Sequence, residues 1–190
     1  AGLALDVCAK KLLEVYSIPQ FIFLRSAIGI LVFLIAARWY GGIGSLKTNR
    51  WKWHGLRTIL ATGAMFGFFF GLSRMPLVDT LTIVFVAPLI MTALSVPFLG
   101  EHVGWRRWVA VIAGFIGVII VLRPGEDMFT PAATALLLSA FCWAGLALTA
   151  RKLAATESSF SLAFYVTAAP LVASAFILPE NYIAPTNSAW

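Results

Sequence analysis

Charged residues are rare in this sequence, and those that could bind a solute or move a proton lie within or at the ends of long apolar runs. Arg25 lies about two helical turns into one such run, and Asp79 lies in the first turn of another. An ionisable side chain inside a lipid bilayer is costly and normally faces the protein interior or a water-filled cavity. Arg25 and Asp79 are therefore the first candidates for a functional site.

Each of these residues also has a structural interpretation. Arg25 is close enough to its helix end to extend toward the interface or to cap a neighbouring helix. A carboxylate such as Asp79 near a helix N-terminus is stabilised by the helix dipole and can serve as a cap. A proton or substrate contact is the more specific alternative for Asp79. Proton coupling through Asp79 or Asp6 is left open, and Asp6 can also pair with Lys10 one turn later.

Four further residues are candidates because each places a polar atom or a kink within an apolar helix. Pro88 removes a backbone hydrogen bond near the middle of its helix and leaves a carbonyl that a cavity can use. Thr82 lies on the same helix, and Trp143 and Tyr165 lie on later ones. With Arg25 and Asp79, these residues form the predicted wall of a substrate cavity.

The loop from Glu101 to Arg107 carries a second group of polar residues. Glu101 can pair with Arg106 or Arg107 at the membrane surface and join two helices there, which contributes little free energy if the pair is exposed. His102, with His54 on the same side, leaves a membrane-embedded enzyme as an alternative, because lipid chemistry needs an acid, a histidine or a metal near the interface. Two histidines that lie apart from each other among arginines are more typical of loops that fix the orientation of the chain in the membrane.

The composition defines the elements that must hold these residues. Hydrophobic residues make up 61% of the chain and charged residues 12%, with a mean hydropathy of +0.91, against roughly 45–50% and 25% in soluble domains. This excludes an ordinary soluble fold and predicts an all-α polytopic protein embedded in a lipid bilayer. The net charge of +6 lies in the gaps between apolar runs, which argues against nucleic-acid binding. Cys8 and Cys142 lie within apolar runs, so no disulfide, metal site or cofactor is predicted.

Seven helices are predicted in this bundle. The doubled G-x-x-x-G pattern at Gly63, Gly67 and Gly71 predicts a flat face for close helix contact, and Gly114 and Gly117 predict another in the fifth helix. The chain begins without a methionine and inside its first helix, which is typical of a piece of a longer protein. The predicted helices span residues 1–16, 19–37, 56–72, 76–99, 108–122, 131–152 and 160–178.

Basic residues between the helices predict the orientation of the bundle. The segment from Arg38 to Arg57 carries five basic residues and no acid, which places it in the cytoplasm, and its His54 is then expected at headgroup level. Alternation of the helices gives nine basic residues near the cytoplasmic side and four near the other. The orientation is therefore self-consistent.

A short internal repeat supports the same picture. The sequence AGLAL at residues 1–5 recurs at residues 144–148. The two copies point in opposite directions across the predicted membrane. Inverted repeats of this kind are typical of secondary transporters, in which the substrate site lies between the repeats near the membrane midplane.

Five short motifs lie in order along the fourth and fifth helices. They are Pro76-Leu-Val-Asp79-Thr, Phe98-Leu99-Gly100-Glu101, Val103-Gly104-Trp105-Arg106-Arg107-Trp108, Gly114-Phe115-Ile116-Gly117-Val118 and Val121-Leu122-Arg123-Pro124-Gly125. Together, in this order and spacing, they resemble the drug/metabolite transporter superfamily, specifically its EamA branch. The likeness extends from the end of the first helix to the seventh.

The resemblance implies ten helices in two inverted five-helix repeats, with a small organic metabolite crossing a central cavity by alternating access. Residues 1–125 would be the first repeat, with an incomplete first helix, and residues 126–190 the start of the second. Without helices eight to ten, the chain is not expected to transport by itself. The resemblance implies a secondary transporter of the cell inner membrane for an amino acid, a nucleoside-type or a vitamin-like compound, without naming the cargo. A membrane-embedded enzyme and a structural membrane subunit are the alternatives.

Overall fold

A computed structural model describes residues 2–39, 46, 48, 50–122, 130–180 and 182–183, and every regular element in this part of the chain is helical. The elements are α1 (Gly2–Val15), α2 (Ile18–Ala37), α3 (Trp51–Arg74), α4 (Leu77–Val84), α5 (Val86–Leu99), α6 (Trp105–Leu122), α7 (Pro131–Leu153), α8 (Ser159–Ile177) and a 3₁₀ turn (Leu178–Glu180). The all-α prediction is confirmed. The glycines at positions 41, 42 and 44 predict a break between the second and third helices, and the proline and glycine at 124 and 125 predict the end of the fifth helix. Both segments lie outside the described residues.

Three of the helices begin with a polar capping residue that can be recognised in the sequence. Ser17 accepts a hydrogen bond from the backbone of Gln20 at the start of α2, with a proline in the first turn. Thr130 does the same at the start of α7, again next to a proline, and Ser158 accepts from the backbone of Ser161 before α8. Caps of this kind satisfy backbone donors that have no partner inside the helix, so they fix where the helix starts.

The fourth predicted helix is one membrane span with a break in it. Helix α4 ends at Val84, and α5 begins two residues later, after Phe85. Pro88 lies four residues after Val84, where its ring lacks an N–H and crowds the carbonyl one turn earlier, so the helical hydrogen bonding is interrupted there. The kink predicted at Pro88 therefore takes the form of a junction at Phe85.

Five of these segments are long and apolar enough to cross a membrane, counting α4 and α5 as one span. Many large apolar side chains are exposed on them, such as Leu31, Val32 and Ile35 on α2. Water would disfavour such surfaces, whereas lipid tails would cover them. The chain is a multi-pass membrane protein.

Helix α7 is the centre of the bundle. It packs most extensively on α3 and also on α5 and α4, while α2 packs on α8. Leu136, Ala140 and Ala144 follow one face of α7 and are almost completely buried. Their spacing of four residues places them on one face of the helix, which is buried against its neighbours.

Helix α3 begins at Trp51, five residues earlier than predicted, because the run Trp-Lys-Trp-His is helical despite its low hydropathy. His54 and Arg57 are therefore helical, and only 3% and 4% of their surface is exposed. His54 is therefore buried within the helix bundle, and its expected depth at headgroup level stays a prediction. Its burial results from the packing of α7 and α8 against this end of α3.

Candidate functional site

A cavity of about 670 Å³ lies between α1, α2, α3, α4 and α7. Its walls are mostly apolar and include the aromatic rings of Phe21, Phe68, Phe69 and Trp143. Pockets for small molecules usually measure roughly 300–1,000 Å³ and are lined in this way, with a few polar groups that orient the ligand. The cavity therefore has the size and the lining of a small-molecule site.

Arg25 provides one of the polar groups in this cavity. It lies seven residues after the start of α2, about 10 Å along the helix axis at 1.5 Å per residue, well inside the span. Its Nη1 lies 3.8 Å from the sulfur of Met65, and its guanidinium lies 5.6 Å from the ring centroid of Phe69. Among the described residues, no carboxylate forms an ion pair with it. The guanidinium thus contacts a thioether sulfur and an aromatic ring, which are weak partners for a cation, and it faces the cavity.

Asp6 on α1 is the other charged residue that lines the cavity within the described chain. The predicted pair of Asp6 with Lys10 was wrong. The ammonium of Lys10 instead donates to the carbonyl oxygen of Met75 at 2.5 Å. Met75 caps the C-terminus of α3, where the helix dipole attracts a cation. Lys10 is therefore held elsewhere, and Asp6 remains directed to the cavity.

The structure brings together two of the six predicted cavity residues. Arg25 and Trp143 both line the cavity, whereas the other four predicted residues are not part of its lining. Thr82 donates to the carbonyl oxygen of Val78 one turn earlier in its own helix, at 2.8 Å. Pro88 is exposed on α5, where its contribution is the helix break.

Asp79 lies in the first turn of α4, next to the cap rather than at it. Pro76 occupies the N-cap position and forms no side-chain cap. The helix dipole still favours a carboxylate at Asp79. The structure therefore places Asp79 at the helix end and outside the cavity lining.

A buried polar cluster at the start of α3 was missed by the sequence prediction. Arg57 donates to the carbonyl oxygen of Leu146 at 2.8 Å, to Thr149 Oγ1 at 3.0 Å and to the carbonyl oxygen of Leu162 at 3.4 Å. The acceptors come from α7 and α8, so one guanidinium ties three helices together. His54 lies three residues before Arg57 on the same helix and is also buried.

The cluster continues through Glu157 and Tyr165. The carboxylate of Glu157 lies 3.4 Å from His54 Nε2 and accepts a hydrogen bond from Thr48 Oγ1 at 2.7 Å. Tyr165, predicted to line the cavity, instead packs against His54, with 4.4 Å between ring centroids and an angle of 51° between the rings, and donates to the carbonyl oxygen of Leu46. Within the described residues, no set of three acidic, histidine or cysteine side chains is arranged to hold a metal.

The signal for this cluster was present in the spacing. His54, Arg57, Ala61 and Ala64 are all buried and follow one another at intervals of three or four residues. Such intervals define a single helix face. A helix extended back to Trp51 would have placed the histidine and the arginine on the same face as the two alanines.

The predicted packing glycines behave differently in the two helices. A Cβ added at Gly67 would lie 2.7 Å from the carbonyl oxygen of Ala135, and one at Gly71 would overlap the side chain of Leu136. Gly63 and Gly67 both face α7 directly, and Gly114 faces Leu89 on α5. At Gly117, by contrast, an added Cβ would meet no atom of the described residues within 4 Å.

The predicted loop anchor has a different partner. Glu101 forms its ion pair with Arg151 at the end of α7, and not with Arg106 or Arg107. Both of those arginines are exposed in the first turn of α6, where the guanidinium of Arg106 lies 5.8 Å from the ring of Trp105. The pair therefore joins the loop after α5 to α7, because these two helices pack side by side.

These features define a class: multi-pass helical membrane proteins with a solute-sized cavity between their helices. The comparison of sequences then gives the particular group. The chain belongs to the EamA-like transporter family, whose pattern matches residues 4–123. The resemblance seen in the motifs around the fourth and fifth predicted helices is thereby confirmed.

Curated relatives extend the likeness over almost the whole chain. An S-adenosylmethionine uptake transporter of Rickettsia bellii is 34% identical over 184 residues, which cover 95% of this chain and 62% of the relative. A riboflavin transporter of Vibrio cholerae is 34% identical over 141 residues, 74% of this chain and 47% of the relative. A pseudopaline exporter of Pseudomonas aeruginosa is 26% identical over 174 residues, 85% of this chain and 59% of the relative. The chain thus spans about 62% of the length of the first of these relatives, and no solved structure matches it significantly.

Proposed function

We propose that the protein is a secondary transporter that moves a small organic metabolite across a bacterial inner membrane by alternating access. The observation that carries this proposal is the cavity of about 670 Å³ with Arg25 in its wall, placed between membrane spans. A binding site near the middle of a bundle is where such transporters hold their cargo. The relatives named as transporters of S-adenosylmethionine and riboflavin support the same class of cargo.

Transport is favoured over the enzyme alternative. The family is one of transporters, and the relatives are transporters by name. In addition, the residues that suggested an enzyme lie apart. His54 is buried in the cluster on α3, whereas His102 is exposed in the loop before α6 and its neighbour Glu101 pairs with Arg151.

The proposed arrangement is a first repeat over residues 1–125 and the start of a second over residues 126–190. The family pattern, which covers residues 4–123, supports a boundary at this point. The segment from Arg38 to Arg57 is proposed to face the cytoplasm, on the strength of its five basic residues. The polar cluster around Arg57 would then close the cytoplasmic end of the bundle.

The test uses Cys8, which is exposed and lines the cavity. The full-length protein, with every other cysteine replaced by alanine, is reconstituted in proteoliposomes and assayed for saturable uptake of labelled S-adenosylmethionine and riboflavin. We expect a methanethiosulfonate reagent to block uptake by attaching to Cys8 and filling the cavity. Substrate present during labelling should protect the thiol.

The matched control is the same protein carrying Cys8→Ser, which should transport and resist the reagent. Saturable uptake that the reagent leaves unchanged would contradict this cavity as the transport site. Absence of saturable uptake of either compound by the folded protein would contradict transport of the relatives' named substrates.

A further inference from the structure

An apolar groove of about 460 Å³ lies apart from the cavity that contains Arg25. Three of its lining residues, Phe66, Gly67 and Phe70, belong to α3, and the others come from α2, α7 and α8. All of these side chains are apolar, and none of them lines the larger cavity. The groove is therefore a separate feature that the proposed transport site does not use.

A positive charge lies next to this groove, at the end of the membrane span. Arg74 is the last residue of α3 and is exposed, and its guanidinium carbon lies 4.4 Å from the ring centroid of Phe70. Phe66, Phe70 and Arg74 follow one another at intervals of four residues, so they share one face of the helix. At 1.5 Å per residue, Phe66 lies about 12 Å deeper in the span than Arg74. The groove thus runs inward from a cation at the membrane surface.

The contacts of Arg74 leave its hydrogen-bond donors available. Within the described part of the chain, no carboxylate forms an ion pair with it. A guanidinium that stacks on a ring by its face keeps its in-plane N–H groups for an anion, and their geometry matches a phosphate. The helix dipole at this end of α3 is already compensated by another cation, because Lys10 donates to the carbonyl oxygen of Met75, the C-cap residue. Arg74 is therefore able to bind an external anion.

We propose that the groove and Arg74 form a binding site for one anionic phospholipid. The phosphate of the lipid binds the guanidinium of Arg74, and one acyl chain lies in the groove along Phe70 and Phe66. A phospholipid brings these two groups in the order that the site requires, with the phosphate at the membrane surface and the hydrocarbon deeper. This assignment goes beyond the proposed transport function and does not depend on it.

Other occupants fit the same site less well. Two turns of a helix, 10–12 Å wide and 5.4 Å per turn, occupy roughly 850 Å³ or more, which exceeds the groove. A second copy of the chain or another helix would therefore not enter it. Phosphatidylcholine has the same acyl chains as an anionic lipid, but its ammonium lies next to the phosphate and repels Arg74. The charge of Arg74 thus favours a lipid with a net negative headgroup.

The experiment measures lipid binding to the purified full-length protein in detergent by native mass spectrometry. The probes are phosphatidylglycerol and phosphatidylcholine with identical acyl chains, and sn-glycerol 3-phosphate, which has the phosphate without the chains. We expect phosphatidylglycerol to bind about fivefold more tightly than phosphatidylcholine, the effect of one basic residue on an anionic lipid. Glycerol phosphate should not displace it, because the acyl chain contributes most of the buried apolar area.

A photoreactive phosphatidylglycerol locates the bound chain. With a diazirine in one acyl chain, it should label the α3 peptide that contains Phe66 and Phe70 more strongly than the exposed face of α2 around Leu31 and Ile35. Both regions are apolar, so lipid that covers the protein without a specific site would label the two alike.

Variants then assign the headgroup and the chain to their residues. Arg74→Gln should abolish the fivefold preference for phosphatidylglycerol, and Arg74→Lys should keep part of it. Lys11→Gln, which removes an exposed cation on α1, is the matched control and should bind like the wild type. Ile18→Trp places a larger side chain in the groove and should reduce labelling of α3, whereas Leu31→Trp on the exposed face of α2 should not.

Equal affinity of the wild type for the two lipids would overturn the proposal, and so would displacement by glycerol phosphate or a preference that survives in Arg74→Gln. A dimer that excludes the lipid would assign the groove to a second copy instead. If a variant fails to fold, the lipid preference and the labelled peptide of the wild type still decide. Because binding is measured without a transport assay, these results are independent of whether the protein takes up any metabolite.

Discussion

His54 and Glu157 lie 103 positions apart in the sequence, yet Nε2 of the histidine lies 3.4 Å from a carboxylate oxygen of the glutamate. Both side chains are nearly inaccessible, at 4% and 6% exposure. The second carboxylate oxygen accepts from Thr48, so Glu157 links the segment before α3 to the turn between α7 and α8. In the proposed orientation this link lies at the cytoplasmic end, where alternating access requires helices to separate.

The first prediction concerns the energy of this link. A double-mutant cycle of His54→Asn and Glu157→Gln should give a coupling energy of about 0.5–3 kcal/mol, because residues in one buried network do not act independently. The measurement is the free energy of unfolding in mixed micelles. As a control, His54→Asn with Glu180→Gln, an exposed glutamate, should be additive. Additivity in the first cycle would show that the 3.4 Å contact carries no energy.

The second prediction concerns Arg57. Arg57→Gln should lower the free energy of unfolding by about 2–4 kcal/mol, because the shorter side chain cannot reach its acceptors on α7 and α8 and the buried hydrogen bonds that join α3 to both helices are lost. The same unfolding assay applies. Lys52→Gln, an exposed substitution on the same helix, should change the stability by less than about 0.5 kcal/mol. Equal effects of the two substitutions would refute the role given to Arg57.

Where the sequence predicts the fold well, an apolar run is bounded by a polar cap. Residues 19–37 and 131–152 correspond to Ile18–Ala37 and Pro131–Leu153. Each helix is preceded by a capping hydroxyl and has a proline in its first turn. The start of α3 was missed because hydropathy drops at its tryptophan, lysine and histidine residues, although they are helical. The burial of His54 and Arg57 depends on helices much later in the chain. For example, the carbonyl oxygen of Leu146, which accepts from Arg57, lies 89 positions away in the sequence.

The site, too, was predicted only in part, because contacts between helices that are distant in the sequence complete it. Arg25 could be predicted because a charge within an apolar run costs free energy whichever way the helix is rotated about its axis. Asp6 was not in the predicted cavity wall, since Lys10 offered a local partner, and only the tertiary contact with Met75 shows that Lys10 is occupied. Thr82 and Tyr165 lie on uniformly apolar helices, whose rotation about their axes is set by neighbours and not by the sequence pattern.

The third prediction concerns the ion pair of Glu101 and Arg151. The arginine side chain is 49% exposed and the glutamate 33% exposed. Solvent screens such pairs, so Glu101→Gln and Arg151→Gln should each change the free energy of unfolding by less than about 1 kcal/mol. Arg106→Gln, which removes no ion pair seen in the described residues, is the matched control. A loss larger than that caused by Arg57→Gln would contradict this ranking.

The last prediction concerns the contact between α3 and α7. Gly67→Ala should lower the free energy of unfolding by about 1–3 kcal/mol, because the new Cβ would lie 2.7 Å from the carbonyl oxygen of Ala135 and the two helices would have to separate. Separation would also stretch the hydrogen bond from Ser139 Oγ to the carbonyl oxygen of Ala64, now 2.7 Å. Gly117→Ala is the matched control, since its Cβ meets no described atom within 4 Å and alanine favours the helix by about 0.5–1 kcal/mol. If Gly67→Ala unfolds at the same denaturant concentration as Gly117→Ala, the close approach of α3 and α7 at this glycine is wrong.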